Sequence, residues 1–517
     1  MNAAPAPAGP ARESGAWAAG AFVLALIPRL IGLDARPLWL DEVFTLQRVT
    51  LPPLALVYDS FYNHHMPSFF LMLAPLAALG HPEYWLRLPS AIFGAVAVAL
   101  VFLIGERVAG RRAGGLAALI LGLSPAALAY SQEARSYTLV MCLVLVALYG
   151  LVCLAQDVPA AAVPLRRSKT RGAWACLILG SAAALDVLGD SLPWLIAANL
   201  IGVALWWQAK RPRAFMANLL TADLIVAVLS APFYVLMHQF QEKGFVATLA
   251  WIPPLNFTRL WYSFGSVYFL HIADSVSFRL MKVPTPDILI WALDAGLVVA
   301  VAAAAWRLRQ RPAMLAVLGI SFVFLPLLLT LISLWQPVLL PRYILWSAAP
   351  FAILAGVGAS ALLDHLSARW RVPAMGLTAV LLLTNMAPYY KAETKPRWDI
   401  AAQMLAGEVQ PGDVLLLHDQ YDGTLLNVYL PGAAKTVVLA DSAGDVTHAQ
   451  AAMAQGKRVW TVYGVAGQGK DDAEEHANFD AKAAVLGAPA LKQQAGKRIT
   501  ITLYSPAAAP TEVEPAP

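Results

Sequence analysis

Long apolar segments alternate with short polar loops over most of the chain. A bilayer core of about 30 Å requires about 20 apolar residues per helix, and eleven segments come close to that length. They occupy residues 15–33, 84–105, 115–132, 134–155, 173–189, 190–208, 214–237, 286–306, 313–333, 342–364 and 372–388. The pattern predicts an α-helical polytopic membrane protein with eleven spans.

A further apolar run, residues 67–80, has only fourteen residues and suits an interfacial or re-entrant helix better than a full crossing. If it crossed the bilayer, the basic loops before and after it would lie on opposite faces of the membrane. The run is therefore predicted to belong to the first external loop, residues 34–83.

Clusters of basic residues follow every even-numbered span and set the orientation of the chain. The clusters are Arg107, Arg111 and Arg112; Arg166, Arg167, Lys169 and Arg171; Lys210, Arg211 and Arg213; Arg307, Arg309 and Arg311; and Arg369 and Arg371. Cytoplasmic loops carry the excess of Lys and Arg, so these loops and the N-terminus are predicted to be cytoplasmic. Because the number of spans is odd, the C-terminal region is predicted to be external.

The hydrophobic pattern changes beyond residue 388, where short strand-like runs alternate with Ala-rich helical stretches. The predicted strands are 414–417, 436–439, 459–463 and 499–503, with a helix over 446–455. Such alternation is typical of a small α/β domain. The predicted organisation is a disordered tail (1–14), a transmembrane domain (15–388), an external soluble α/β domain (389–506) and a second disordered tail (507–517).

Composition and charge exclude several classes of protein. Hydrophobic residues make up 59% of the 517 and charged residues only 13%, whereas soluble globular chains carry about 25% charged residues. The net charge of +5 is too small for a nucleic-acid footprint, so no nucleic-acid partner is predicted. All three cysteines lie in apolar runs, which excludes a disulfide scaffold and a cysteine-built zinc site.

Two adjacent carboxylates, Asp41 and Glu42, follow the first span in the first external loop. Interfacial helices usually favour basic residues, so the acidic pair indicates chemistry, with Asp41 as a general base or a metal ligand. The alternative is structural, because acidic residues also stabilise the positive end of a helix dipole. Both interpretations are open at this point.

Other polar residues are predicted to reach the same external face. They are His64 and His65 before the short apolar run, Glu133, Arg135 and Tyr137 between the third and fourth spans, and Arg342 and Tyr343 at the start of the tenth. The histidines can bind metal or phosphate or titrate near neutral pH; alternatively they occupy a solvated loop. Two arginines at one face can hold a lipid-linked phosphate, or each can simply anchor its helix at the interface.

The order and spacing of these motifs resemble the GT-C glycosyltransferases of the protein O-mannosyltransferase and aminoarabinose transferase superfamily. The motifs are LWLDE at 38–42, HMP at 65–67, RLPS at 87–90, QEARSY at 132–137 and PRY at 341–343. The likeness runs over residues 15–390, and KPRWD at 395–399 is similar to bacterial members with an external soluble domain.

The resemblance implies a GT-C transmembrane bundle whose first external loop forms two interfacial helices. It implies a hexosyl- or pentosyltransferase that takes a monosaccharide from a polyprenyl-phosphate donor to a hydroxyl group of a lipid, glycan or protein. Transfer would occur at the periplasmic face of the bacterial inner (plasma) membrane, where the C-terminal domain also lies.

The resemblance also implies roles for individual residues. Asp41 is the expected general base, with Glu42 beside it as a second catalytic residue. Arg135, Arg342 and Tyr343 are expected to contact the donor phosphate, and His64, His65, Glu133 and Tyr137 to belong to the substrate region. A single carboxylate base with direct displacement predicts inversion at the anomeric carbon. Some relatives bind a divalent metal ion, for which His64, Asp41 and Glu133 are the ligands expected here.

The main alternative function is a transporter or flippase for a lipid-linked sugar, which also needs many spans and arginines for phosphate. Transporters commonly contain internal repeats with broken helices near the bilayer midplane. This sequence shows no internal repeat, and its polar motifs gather at one predicted face. The enzyme is therefore the favoured interpretation.

Overall fold

The computed structural model describes residues 11–165, 168–241, 249, 251–269, 287–391, 393–431, 438–440, 446–464 and 473–506. The chain forms two compact units. The first comprises Met1–Leu33 and Thr45–Ala392, and the second comprises Asp34–Phe44 and Glu393–Pro517. A short piece of the first loop thus belongs to the same unit as the C-terminal region.

The first unit is built from helices. They are α1 (Ala11–Leu30), α2 (Leu40–Val49, which begins in the second unit), α3 (Pro53–Tyr62), α4 (Ser68–Ala77), α5 (Pro82–Trp85), α6 (Leu88–Ala109), α7 (Arg111–Gly122), α8 (Pro125–Ser131), α9 (Tyr137–Gln156), α10 (Val158–Ala161), α11 (Arg171–Val187), α12 (Leu192–Gln208), α13 (Arg213–Phe240), α14 (Phe257–Tyr268), α15 (Asp287–Leu308), α16 (Pro312–Ile332), α17 (Ala348–Asp364) and α18 (Ala368–Met386). Among the described residues, the 3-10 helices Gly189–Ser191, Pro341–Ser347 and Ala387–Tyr390 lie between them.

Each of the eleven predicted spans contains a helix, but fewer helices meet the length and hydropathy of a crossing. Among the described residues seven do so: Pro82–Ala109, Tyr137–Gln156, Gly189–Gln208, Arg213–Phe240, Ile288–Leu308, Pro312–Ile332 and Pro341–Asp364. An eighth is formed if α7 and α8, bent by 64°, make one broken span. The count of eleven crossings is not confirmed; α11, for example, has 17 residues and a length of about 26 Å.

The first loop contains helices α2 to α5. Helix α4 covers ten residues of the apolar run 67–80, and its length of about 15 Å is too short for a crossing. The loop therefore contains three ten-residue helices and one short helix, where two interfacial helices were expected. Helix α1 begins at Ala11, inside the tail predicted for residues 1–14; residues 1–10 and 507–517 lie outside the described part.

Small residues let neighbouring helices of this unit pack closely. A Cβ atom added to Gly150 of α9 would lie 2.4 Å from the Ala173 carbonyl oxygen of α11, and one on Gly180 would lie 2.6 Å from that of Leu143. Helix association in lipid depends on such packing because lipid tails are as apolar as the side chains. The α9–α11 contact therefore tolerates nothing larger than glycine at these two positions without a shift of the helices.

Residues of several predicted cytoplasmic loops meet at one end of this unit. The contacts are Arg111 with Glu13 (3.0 Å), Arg112 with Asp364 (2.6 Å), Arg307 with Asp364 (3.6 Å), Arg107 with Gln156 (2.9 Å) and Arg311 with the Val108 carbonyl (2.7 Å). Helix α9 ends here at Gln156, so its first residue, Tyr137, lies about 30 Å away. These basic loops follow even-numbered predicted spans, and they meet at one end of the unit, as expected. We call this end the basic end.

The second unit contains a five-stranded sheet. Its strands are β1 (Val414–Leu417), β2 (Val438–Ala440), β3 (Val459–Tyr463), β4 (Leu491–Ala495) and β5 (Ile499–Tyr504), in the order β2-β1-β3-β5-β4. Helices α19 (Trp398–Glu408), α20 (Gln420–Tyr429), α21 (Val446–Ala454) and α22 (Ala473–Ala483) accompany the strands. The α/β character predicted for the C-terminal region is thus observed.

Strand β1 pairs in parallel with both β2 and β3, and β5 is antiparallel to β3 and β4. Val414 lies opposite Val438 and Val459. Strands β1, β3 and β5 are buried, and hydrophobicity predicts all three. The start of the predicted strand 436–439 lies outside the described residues. Strand β4 is not predicted, because its polar sequence LKQQA lies at the sheet edge with alternating exposure.

A buried carboxylate holds the first strands of this sheet together. Asp413 is 5% exposed and accepts hydrogen bonds from Arg458 Nη2 (2.7 Å), Trp460 Nε1 (2.9 Å) and the Gln410 backbone N–H (2.9 Å). Burial opposes ionisation of Asp413, but these donors outweigh it and hold the pKa of the carboxyl below its ordinary 3.8. The ionised form therefore stabilises the junction of β1 and β3.

Asp413→Asn is expected to destabilise this unit by about 1–2 kcal/mol, because the hydrogen bonds that it accepts from Arg458, Trp460 and Gln410 lose the charge of their acceptor. The wild-type contribution is present above pH 3.8 and is lost as the pH falls through the lowered pKa. Hydrogen exchange of β1 and β3 peptides in the full-length protein measures the change. Asp480→Asn, which removes an exposed pair with Lys492 (2.8 Å), is the control and should change little; equal exchange in both variants would contradict the role of Asp413.

Candidate active site

Positive charge surrounds His65, between α3 and α4. Burial of the imidazole, and then the charges of Arg135 and Arg48, lower its pKa well below the ordinary 6.5; His64 and Arg342 act in the same direction. These effects favour the neutral imidazole over the charged one. The three arginines come from three distant parts of the sequence and lie close enough to His65 for their charges to act on it.

Arg48, in the last turn of α2, is the most buried of the three. Its side chain is 6% exposed, its Nε donates to Asp59 Oδ2 at 2.6 Å, and its Cζ lies 4.6 Å from the centre of the Phe70 ring. Its Nη1 is buried without a hydrogen-bond partner among the residues that the structure describes. None of the sequence motifs includes Arg48. The sequence does contain a signal for Arg48, because an arginine in a loop predicted to be external is contrary to the positive-inside rule.

The segment that carries Glu133 and Arg135 is fixed at both ends by hydrogen bonds. Gln132 Nε2 donates to the carbonyl oxygens of Arg29 (3.0 Å) and Ile31 (2.9 Å), which ties the segment to the end of α1. Ser90 Oγ donates to the Arg135 carbonyl at 3.0 Å. Thr138 Oγ1 in turn donates to the Ser90 carbonyl at 2.9 Å. The motifs RLPS and QEARSY therefore meet in space and position Arg135.

Aromatic and acidic side chains are buried next to Arg135. Glu133 is 7% exposed and Tyr137 5% exposed, and the Cζ of Arg135 lies 5.9 Å from the centre of the Tyr137 ring. Tyr130 packs edge-on against Tyr137 with ring centres 5.5 Å apart. Within the described chain the buried Tyr130 hydroxyl has no hydrogen-bond partner. A second buried polar atom thus lies near this cluster of charges.

Arg342 and Tyr343 lie in the 3-10 helix Pro341–Ser347. The Cζ of Arg342 lies 5.1 Å from the Trp251 ring and 5.5 Å from the Tyr343 ring, so aromatic faces flank the guanidinium group. The charges of Arg342 and Arg135 both act on Asp190, whose side chain is exposed. The structure therefore brings the two arginines predicted for phosphate to the same end of the unit as Tyr137, opposite the basic end.

The metal set predicted from the resemblance has no support from the geometry. Within the described residues, no three His, Cys, Asp or Glu side chains form a group suited to a metal ion. His64 has a left-handed backbone conformation (φ 59°) and is only partly buried. The set of His64, Asp41 and Glu133 stays a prediction.

Asp41 and Glu42 lie in the first turn of α2, within the second unit. The Asp41 side chain is partly exposed, whereas Glu42 is fully buried at 0% exposure. Glu42 Oε2 accepts a hydrogen bond from Lys395 Nζ at 2.6 Å and one from the Trp39 backbone N–H at 3.3 Å. The second contact is the return half of a capping box, so the structural interpretation of the acidic pair applies at least to Glu42.

No protein-family model matches the sequence, and no curated protein matches it significantly. Several solved structures, in contrast, match the chain over most of its length. ArnT from Cupriavidus metallidurans, the aminoarabinose transferase, in its apo state is 15% identical over 95% of this chain and 98% of its own, with a TM-score of 0.58. The structure of that protein bound to undecaprenyl phosphate has a TM-score of 0.53.

The archaeal oligosaccharyltransferase AglB from Archaeoglobus fulgidus, in complex with an inhibitory peptide and a dolichol-phosphate, is also similar. It is 13% identical over 86% of this chain and 69% of its own, with a TM-score of 0.51. Another structure of this oligosaccharyltransferase, also with a TM-score of 0.51, contains Zn and sulfate. At these low identities the TM-scores show the fold alone: the chain is folded like ArnT and AglB, which agrees with the fold that the resemblance of its motifs implies.

The neutrality of His65 can be tested directly. Deuterium exchange at imidazole C2, followed by mass spectrometry against pH in the lipid-embedded protein, should give His65 a midpoint well below 6.5. Arg48→Gln removes one of the charges that depress this pKa, so the midpoint should rise towards 6.5. The same peptide from denatured protein is the control, at about 6.5. A wild-type midpoint at or above the denatured value would show that the arginines do not surround this ring.

Proposed function

We propose that the protein is a membrane glycosyltransferase that moves a monosaccharide from a polyprenyl-phosphate donor to a hydroxyl acceptor at the external face of the bacterial inner membrane. The observation that carries the proposal is the cluster of Arg48, Arg135 and Arg342 at the end of the bundle opposite the basic end. The GT-C architecture supports it, because similar structures were determined with undecaprenyl phosphate and with a dolichol-phosphate.

The arginine cluster suits a phosphate with a lipid attached. A guanidinium group offers several N–H donors in a plane and binds phosphate oxygens in pairs. The buried Nη1 of Arg48 and hydroxyl of Tyr130, which have no partners within the described chain, supply further donors close to these charges. Aromatic residues such as Tyr343 flank Arg342 and suit the interface at which a polyprenyl chain enters lipid.

In the proposed reaction Asp41 accepts the proton of the acceptor hydroxyl. The hydroxyl oxygen forms a bond to the anomeric carbon while the bond from that carbon to the phosphate oxygen breaks, through an oxocarbenium-like transition state. The polyprenyl phosphate leaves as an anion, and Arg48, Arg135 and Arg342 stabilise its charge. One carboxylate and one displacement predict inversion of the anomeric configuration. Asp41 and Arg48 belong to the same helix, about two turns apart.

The neutral His65 and the buried Glu133 and Tyr137 complete the proposed substrate region. A neutral imidazole can donate or accept a hydrogen bond to a sugar hydroxyl without adding to the positive charge of the arginines. His64 is proposed to lie in the same region. Acceptors with a hydroxyl group include lipids, glycans and proteins, and the donor is a hexosyl or pentosyl phosphate lipid.

Asp41→Asn is expected to lower kcat by at least a factor of about a thousand while donor affinity stays unchanged, because the amide cannot accept the proton. Radiolabelled sugar transfer from a panel of polyprenyl-phosphate monosaccharides to a membrane acceptor extract measures the rate. Asp34→Asn is the matched control, since Asp34 is an exposed carboxylate in the same segment and should keep wild-type activity. Donor binding without transfer by the wild type, unchanged by Asp41→Asn, would instead support a flippase.

Arg48→Gln is expected to weaken donor binding by about tenfold to a hundredfold, since the leaving phosphate loses a charge-assisted contact. The binding of undecaprenyl phosphate, measured by native mass spectrometry at several salt concentrations, tests this. Arg309→Gln, an exposed arginine at the basic end, serves as the control and should bind like the wild type. Equal losses in both variants would mean that the effect is one of net charge and not of a site.

A further inference from the structure

A short piece of the first loop is bound to the C-terminal unit by three side-chain contacts. The Leu38 backbone N–H donates to the Tyr429 hydroxyl at 2.6 Å, and Lys395 Nζ donates to Glu42 Oε2 at 2.6 Å. The ring of Phe44 packs edge-on against Tyr421 with ring centres 6.1 Å apart. These contacts explain why Asp34–Phe44 belongs to the same compact unit as Glu393–Pro517.

The ion pair of Glu42 and Lys395 is almost completely buried. Glu42 is 0% exposed and Lys395 7% exposed. Two charges taken out of water lose about as much hydration as they gain in attraction, so such a pair adds little net stability relative to an apolar pair. What a buried pair does provide is a fixed position, because either charge left alone in the interior is strongly unfavourable. The pair therefore sets where Glu42 can lie.

The position of Glu42 in turn fixes the first turn of α2. Its Oε2 accepts the Trp39 backbone N–H as well as the lysine, so one oxygen joins the helix cap to Lys395. Asp41 is the residue just before Glu42, and successive side chains of an α-helix point about 100° apart. With Glu42 held in the interior, the Asp41 side chain is turned towards the surface of the unit, where it is partly exposed.

We propose that Lys395 is a positioning residue for Asp41, acting through Glu42. Tyr429 assists by holding Leu38, three residues before Asp41. Glu42 is then a positioning residue. This differs from the role of second catalytic carboxylate that its place beside Asp41 in the sequence suggests. The inference rests on the proposed function, in which Asp41 is the general base.

The test compares Glu42→Gln, Lys395→Met and the combination of both in the full-length protein. Each is expected to lower kcat about 10- to 100-fold, because a shift of about 1 Å in a reacting group has an effect of that size. The Kd for undecaprenyl phosphate should stay within about twofold of the wild type. The double variant should lose no more than the larger single loss, since the two residues act as one unit. Lys395→Arg, which keeps the charge, should retain most of the activity.

Lys391→Met is the matched control, because Lys391 is an exposed lysine four residues before Lys395 and should keep wild-type kcat. Hydrogen exchange of peptides from α19 and β1 reports whether the unit is still folded. If Lys395→Met unfolds it, Tyr429→Phe decides the question: it removes one hydroxyl, and kcat should fall about three- to tenfold with unchanged exchange and donor affinity.

Wild-type kcat in a folded Glu42→Gln, Lys395→Met double variant would overturn the inference and leave the pair a purely structural contact. A loss in Glu42→Gln as large as in Asp41→Asn, with none in Lys395→Met, would overturn it by making Glu42 itself catalytic. Asp41→Asn is measured beside them: undiminished transfer in that variant would overturn the proposed role of Asp41, which separates a failure of the proposed function from a failure of the inference.

Discussion

The candidate site depends on a concentration of positive charge. This charge lies at the end of the first unit opposite the basic end. Arg48, Arg135 and Arg342 all act on His65, and like charges so placed repel one another. Asp59 and the rings of Phe70, Tyr137 and Trp251 offset part of that cost. The local contacts leave Nη1 of Arg48 buried without a hydrogen-bond partner in the described chain. An anion with several oxygens is the ligand that such an arrangement favours.

Several motif residues make hydrogen bonds to backbone carbonyl groups. Irregular segments near the lipid must have their N–H and C=O groups satisfied by protein. Gln132 and Arg87 do this at the end of α1, where Arg87 Nη1 donates to the Leu33 carbonyl at 2.9 Å. Ser90 does so for the Arg135 carbonyl just before α9, and Thr138 does so for the Ser90 carbonyl in the first turn of α6. Gln132, Ser90 and Thr138 therefore fix the position of the segment that carries Arg135.

The hydrophobic pattern predicts the long helices and also strands β1, β3 and β5. These three strands are predicted because all of their residues are buried and apolar runs mark them in the sequence. Strand β4 is not predicted, because an edge strand with polar residues lacks that signal. Arg135 and Arg342 are found through short motifs. Arg48 belongs to no motif and becomes significant only where α2 and α3 bring it to Asp59. The number of crossings is the part that length and hydropathy leave undecided.

The ion pair of Glu42 and Lys395 shows the limit of a single sequence most clearly. The partners are 353 residues apart, and nothing in local pattern links a carboxylate after the first span to a lysine after the last. The structure shows that the two adjacent carboxylates have different environments. Glu42 is buried and paired with a lysine, whereas Asp41 is partly exposed. The proposed base needs access to its substrate as well as a fixed position, and of these two carboxylates Asp41 has the partly exposed side chain and the anchored neighbour.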